Sequence, residues 1–245
     1  MRIFLDVGGN VGQTINAVLE ERHGFDRMFL KYGFEKVYCF EPVEELYQYI
    51  STRYCDPRIN VLPSGLWNQT CEKLIFSPGS SSGSIFPDKI NVDPEHSTLC
   101  KFVRASDWFR DHLTGRDDVY VKLNCEGCEA DIIEDLLDSN EYRKIRSLGV
   151  TFDVRKIPSQ RNREEEIKRR LEAGGYVNVT DLNTLGIDVV DAESHSRMIE
   201  KWLWGAGAER SRSFANRVRQ KMYHGAIFGA RCVRYARRRI GISTD

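Results

Sequence analysis

Short apolar runs and helical periodicities alternate along this chain from its first residues to about position 180. Residues 2–6 (RIFLD) form an apolar run that closes on an acid, then GGNVG, then a helical pattern, which predicts strand, glycine turn and helix. That helix is expected to reach about Tyr32, with a break near Gly24. Lys36–Phe40 (KVYCF) is a second strand, followed by Glu41 and Pro42 and a helix over Val43–Arg53. Ile59–Ser64 reads as a third strand, Leu74–Phe76 as a short one, and Ser77–Ser84 as a loop. Ser106–His112 is expected to be a short helix with Ser106 as its N-cap. The strand Val119–Leu123 leads to a helix over Cys128–Leu137, and the strand Ser147–Phe152 to a charged helix over Arg161–Ala173. Gly174-Gly175 closes that helix before a last strand, Tyr176–Thr180. Such alternation implies βαβ units: an α/β fold with a mostly parallel sheet and helices on both faces. Residues 196–240 read differently, as helical and strongly basic, so the chain divides into an α/β domain over 1–196 and a basic helical extension over 197–245.

Composition supports a folded chain. Of the 245 residues, 41% are hydrophobic and 11% aromatic, enough for a sizeable core and against disorder. The formal charge is zero, but unevenly placed. From position 197 onward twelve basic residues face three acidic ones, a net +9 that the first 196 residues balance with −9. Within this extension Phe214, Val218, Met222, Ile227, Ala230 and Val233 recur at helical spacing between arginines. Two readings stay open: an amphipathic helix on an anionic membrane surface, with Trp202 and Trp204 at the interface, or a helix packed on its own domain or on a second copy of the chain. No run of about 18 apolar residues spans a membrane, and Met1-Arg2 leads straight into a strand rather than a signal sequence. The seven scattered cysteines fit reduced thiols, so a cytoplasmic protein is expected, peripheral at the inner face of the membrane if the extension binds lipid.

The first chemical signal is Asp6-Val7-Gly8-Gly9-Asn10-Val11-Gly12 at the carboxyl end of the first strand, where open α/β sheets bind ligands. Its spacing is not the dinucleotide GxGxxG, because position 10 is Asn. A nucleoside cofactor without phosphate needs polar partners near this turn, which Asp6 and Asn10 can supply. The second signal is Glu41, directly after the second strand, where an acid accepts hydrogen bonds from ribose hydroxyls. Glu126 and Glu129 sit three apart at a strand-to-helix junction; paired acids of this kind hold one proton between them and furnish a base, though first-turn acids are also favoured by the helix dipole. Asp153 is a second base candidate at the rim of the sheet, with Arg155 and Lys156 beside it as partners for an anionic acceptor group; the same triplet also reads as an ordinary polar loop. Cys125 and Cys128 form a CxxC without a second pair, and the five histidines show no ligand spacing, so no metal site is expected.

In order, IFLDVGGNVGQT, VYCFEPVEELY, GLWNQ and VYVKLNCEGCEADIIEDLL resemble the FkbM family of methyltransferases over roughly residues 2 to 180. The resemblance implies a Rossmann-like class I methyltransferase fold, S-adenosyl-L-methionine as methyl donor, and O-methylation of a sugar, glycan or other secondary metabolite. By position Asp6, Gly8, Gly9, Asn10, Gly12 and Glu41 match the cofactor motifs, Leu66 and Trp67 fall at the adenine, and Glu126, Gly127 and Glu129 match the signature acids, Glu129 toward substrate. The serine run Ser80–Ser84, with Ser82 at its middle, corresponds to a loop over the cleft. One departure stands out: Asn124 replaces the family's Asp after the fourth strand, at the cofactor. A neutral amide is a poor ligand for a hard cation, so transfer is expected to be metal-independent. Two rival classes remain: a nucleic-acid methyltransferase, disfavoured because no Asn/Asp-Pro-Pro-aromatic segment is present, and a non-catalytic scaffold module.

Overall fold

The computed structural model describes residues 1–20 and 29–208. Two compact units divide the chain, Met1–Ala206 and Gly207–Asp245. Nearly all of the second, and with it the expected helix pattern from Phe214 onward, lies outside the described residues.

The strands are β1 (Arg2–Val7), β2 (Leu19–Glu20), β3 (Phe29–Leu30), β4 (Lys36–Phe40), β5 (Ile59–Leu62), β6 (Gly65–Trp67), β7 (Cys71–Phe76), β8 (Ser97–Arg104), β9 (Asp118–Leu123), β10 (Ile145–Val150) and β11 (Val179–Asp181). The helices are α1 (Gln13–Val18), α2 (Glu44–Arg53), α3 (Ala105–His112), α4 (Glu129–Asp138), α5 (Arg163–Ala173) and α6 (Ala192–Gly205). Six strands form one sheet in the order β11-β10-β9-β1-β4-β5, and every neighbouring pair is parallel. The order runs outward from β1 in one direction and from β9 in the other, so the carboxyl ends of β1 and β9 flank the switch point of a Rossmann-like fold.

Each face of this sheet has its own packing, set by the two-residue period of a strand. On β1 the residues Ile3, Leu5 and Val7 join Val119, Val121 and Leu123 of β9 in a core with Phe109 of α3 and Ile132, Ile133 and Leu136 of α4. The alternate residues face α1 and α6: Phe4 meets Trp202 at 6.2 Å between ring centroids, and Asp6 pairs across the strand with Lys122. A second sheet, β6-β8-β7, joins β6 and β8 in parallel and β7 and β8 in antiparallel fashion.

Several expectations change. The first helix ends at Val18 rather than near Tyr32, because Leu19 turns extended and pairs, as part of β2, with Leu30 of β3. The short strand β6 and the eight-residue β8 were not expected from the sequence. Ser106 is not a cap. It lies inside α3, and its N–H donates to Asp135 Oδ2 (2.8 Å) from α4. The helix α6 crosses position 196, and the first unit continues to Ala206. Trp202 is no interfacial residue: its ring is fully buried, its Nε1 donates to Ser147 Oγ (3.1 Å), and Gly149 has no room for a side chain beneath it. Trp204 is exposed. No helix among the described residues is long and apolar enough to cross a membrane.

Candidate active site

The carboxyl ends of β1, β4 and β9 open into a cleft of about 720 Å³, part of it continuous with solvent. Four segments build it: the glycine turn, the Glu41–Leu46 segment, the loop Asn124–Cys128, and the Gly79–Ile85 part of the β7–β8 connection. Leu66, Ile75 and Phe102 give it an apolar wall.

The glycine turn is fixed from below. Gly8 has φ +85°, and a Cβ there would stand 1.9 Å from the Asn124 carbonyl oxygen. The glycine is therefore required by the close approach of two strand ends. Asp6, expected to contact cofactor, does not line the cleft. It is fully buried, and Lys122 Nζ stands 3.0 Å from its Oδ1 while donating to the Gly8 carbonyl (2.8 Å). Burial pushes the Asp6 carboxyl up, and Lys122 opposes the shift. The pair braces the turn. Gly9 is likewise structural, since a Cβ there would stand 2.4 Å from Cys39 Sγ and 3.3 Å from Ile50 Cδ1. Gly12, with φ +77°, lies against Tyr54, whose hydroxyl donates to the Gly12 carbonyl (3.1 Å). Behind the turn Thr14 Oγ1 meets His195 Nε2 of α6 at 3.0 Å, and burial holds that imidazole down at about 4.

Glu41 and Asn10 both line the cleft. The Asn10 N–H donates to Glu41 Oε2 (2.7 Å) and the Val43 N–H to Oε1 (2.9 Å), so the two motifs hold each other. Glu41 is 4% exposed, and burial pushes its carboxyl up to about 7 against those two hydrogen bonds. Asn124 also lines the cleft, and its Oδ1 is buried without a hydrogen-bond partner.

At the end of β9 the chain makes an unusual turn. Glu126 takes φ +61°, a region that costs a side-chain-bearing residue roughly 1–2 kcal/mol. Three contacts hold it: Ser84 Oγ donates to the Glu126 carbonyl (2.6 Å), and the Cys125 and Gly127 N–H groups donate to Glu129 Oε1 (3.0 and 3.1 Å). Glu129, expected toward substrate, does not line the cleft. It is fully buried, its Oε2 lacks a partner, and burial pushes it up to about 7. The Glu126 side chain is half-buried at the cleft, paired with Lys89 and hydrogen-bonded to Asp153. Burial and then Asp153 raise its pKa. Burial opposes but does not prevent the lowering of Asp153, whose carboxylate is stabilised by Glu126 and by Lys156 (2.8 Å).

Other expected residues have different jobs. Asp153 is buried behind Glu126 and does not line the cleft. Lys156 is bound to Asp153, and Arg155 is held by Glu164 (3.1 Å) and Asp181 (3.2 Å) at the surface. Leu66 lines the cleft, whereas Trp67 donates through Nε1 to Asp131 Oδ2 (2.9 Å) with Lys73 over its ring. In the serine loop Ser80 and Ser84 line the cleft and Ser82 does not. Cys125 and Cys128 line it too, as free thiols. Among the described residues no three His, Cys, Asp or Glu side chains gather as a metal site. Sequence reasoning missed Lys122, although a lysine inside VYVKL is a visible anomaly, and Lys89, which no motif marks.

No family model matches the chain, and no curated protein matches it. Among solved structures it is similar to the crystal structure of a methyltransferase FkbM from Methylobacillus flagellatus, at 16% identity and a TM-score of 0.41. The match covers 71% of this chain, which thus spans 37% of the length of that protein.

Proposed function

We propose that this chain is an S-adenosylmethionine-dependent methyltransferase acting on a hydroxyl of a sugar, glycan or other small metabolite. The observation that carries the reading is Glu41. It is a buried carboxylate at the end of β4, hydrogen-bonded to the glycine turn, in a cleft whose lining, among the described residues, includes Glu41 and Glu126 but no lysine or arginine. A dinucleotide would bring a pyrophosphate that needs cations or a helix N-terminus. A cleft with carboxylates and an unpartnered Asn124 Oδ1 suits a ribose, an ammonium and a sulfonium instead.

In this reading Glu41 accepts from the ribose hydroxyls, and Leu66, Ile75 and Phe102 cover the adenine. Asn10 and Asn124 serve the amino-acid end. When bound, the cofactor supplies a methyl group already activated on sulfur. The chain's remaining tasks are alignment and proton removal. Glu126 is the base for the acceptor hydroxyl, because it lines the cleft and its raised pKa lies nearer to neutrality than a free carboxylate's. Asp153 serves through Glu126, not at the acceptor. The Gly79–Ile85 loop forms one wall of the cleft.

Calorimetry on the full chain tests this. S-adenosylmethionine should bind and NAD should not. Glu41→Gln should weaken binding by on the order of 1.5–3 kcal/mol, roughly tenfold to a hundredfold. Preference for NAD, or no heat with S-adenosylmethionine, refutes the reading.

A further inference from the structure

Lys89 is an unusual residue: a lysine 3% exposed, where lysines are almost never buried without a partner. It sits in the β7–β8 connection that walls the cleft. Its Nζ is ion-paired with the Glu126 carboxylate, donates to the Ser82 carbonyl (3.1 Å), and stands 3.8 Å from Asp153 Oδ2. The surrounding loop is fastened on both sides. Ser84 Oγ donates to the Glu126 carbonyl (2.6 Å), the Ile90 N–H to the Lys156 carbonyl (3.0 Å), and the Ser159 N–H to Asp88 Oδ2 (2.9 Å).

The charges facing Glu126 come from two elements besides its own turn. Lys89 comes from the loop and Asp153 and Lys156 from the 3-10 turn after β10, while Glu129 of α4 faces that same Asp153 and Lys156. Lys156 is committed to Asp153 Oδ1 (2.8 Å) and is half-exposed. That leaves Lys89, among the described residues, as the buried cation on Glu126. Two carboxylates in one buried site cannot both ionise cheaply without such a charge.

Resting on the proposed role of Glu126 as base, we propose that Lys89 is a positioning residue for Glu126: it fixes that carboxylate at the edge of the cleft, favours its ionised form, and ties it to the cleft-covering loop. The loop and the base are then one unit, so a loop displaced from the cleft takes the cation away from the base.

The test reads Glu126 directly and needs no acceptor. In full chain labelled with 13C at the glutamate carboxyls, the Glu126 resonance is identified by its loss in Glu126→Gln and followed against pH. Lys89→Met removes the ammonium while keeping the stem. It should move the Glu126 midpoint up by about one pH unit or more, a tenfold gain in proton affinity. Lys89→Arg, which returns a cation, should move it less. A merely structural lysine would change thermal stability and leave the midpoint in place; an unmoved midpoint in folded Lys89→Met overturns the inference. If Lys89→Met does not fold, pulse acetylation decides. Lys89 should label several-fold faster in Glu126→Gln than in the parent, and equal labelling overturns the inference. Calorimetry separates the two claims: an unmoved midpoint in a chain that binds S-adenosylmethionine removes Lys89 alone, whereas a moved midpoint in a chain that does not bind it keeps the pair and removes methyl transfer.

Discussion

At the scale of single residues, burial decides most of the site's behaviour. Glu41 and Glu129 are carboxylates whose folded pKa is pushed to about 7 from an ordinary 4.5, so the folded chain binds those protons more tightly than the unfolded one. Stability is therefore lost as pH rises from about 4.5 through 7, the reverse of the usual ion-paired acid. Replacing Glu129 with Gln keeps the acceptor that the Cys125 and Gly127 N–H groups use and removes the charge. Thermal unfolding at pH 5 and pH 8 should show the parent losing up to about 3 kcal/mol relative to Glu129→Gln; parallel pH profiles would show that Glu129 does not titrate there. For Glu41 the same shift predicts ligand linkage. Ribose hydroxyls donate to the ionised form, so affinity for S-adenosylmethionine should climb as pH passes about 7, with proton release visible in buffers of differing ionisation enthalpy. In Glu41→Gln both the climb and the proton release should vanish. Glycines give a third contrast. A Cβ on Gly8 meets the Asn124 backbone at 1.9 Å, whereas on Gly12 it meets a side chain, the Tyr54 ring, at 2.6 Å. Gly8→Ala should be the more destabilising by several °C in melting temperature, and the opposite order would mean the strand ends adjust more readily than the ring.

At the scale of elements, α6 carries the clearest test. Trp202 stacks over Gly149 of β10, its indole bonds Ser147, and His195 reaches Thr14 behind the glycine turn. Trp202→Ala should cost about 3–5 kcal/mol, read by denaturant unfolding. A chain ending at 196 should fail to fold, while one ending at 208 should fold and keep the S-adenosylmethionine affinity proposed for the full chain. Equal stability of the two truncations would show that α6 is dispensable. This helix also shows where sequence reading stops. RIFLD, KVYCF and VYVKL were legible as strands because they are buried on both faces and their apolar runs are nearly continuous. β8, STLCKFVR, exposes the apolar Leu99 while burying Cys100 and Phe102, so its apolar residues do not fall on one face, and β6 has three residues, too few to show a period. The first helix was read too long because Leu19 and Leu30 pair with each other, a contact between separate segments that periodicity cannot carry. At the site, motif positions located the turn and Glu41. They could not tell the residues that line the cleft from those that brace it, since Asp6 and Glu129 differ from Asn10 and Glu126 only in which way the fold turns them. The 153–156 turn misled for a related reason: Arg155 found its anions in Glu164 and Asp181, which lie on separate elements.

At the scale of the whole molecule, charge is the dominant asymmetry. Residues 197–245 carry a net +9 and the remainder −9. The α6 portion contributes little of this, since Arg197 and Lys201 there stand against Glu200, a net +1. The excess lies after position 208, where ten basic residues face two acidic ones. Each Lys or Arg near an anionic leaflet contributes roughly 1 kcal/mol, so even half of them engaged would give reversible membrane binding without a lipid anchor. A lipid-linked glycan as acceptor would then be met at raised local concentration. The burial of Trp202 removes one of the two aromatic residues expected at the interface and leaves charge as the main attraction. Such binding is screened by salt over about 10 Å at 0.1 M and weakens steeply above it. Full-length chain should therefore sediment with phosphatidylserine-containing vesicles at low salt and return to the supernatant at 0.5 M, while the chain ending at 208 stays in the supernatant at both. Neutral phosphatidylcholine vesicles should retain neither. If the full-length chain ignores anionic vesicles at low salt, the +9 is matched within the protein, by its own acidic residues or those of a second copy, and the membrane reading falls.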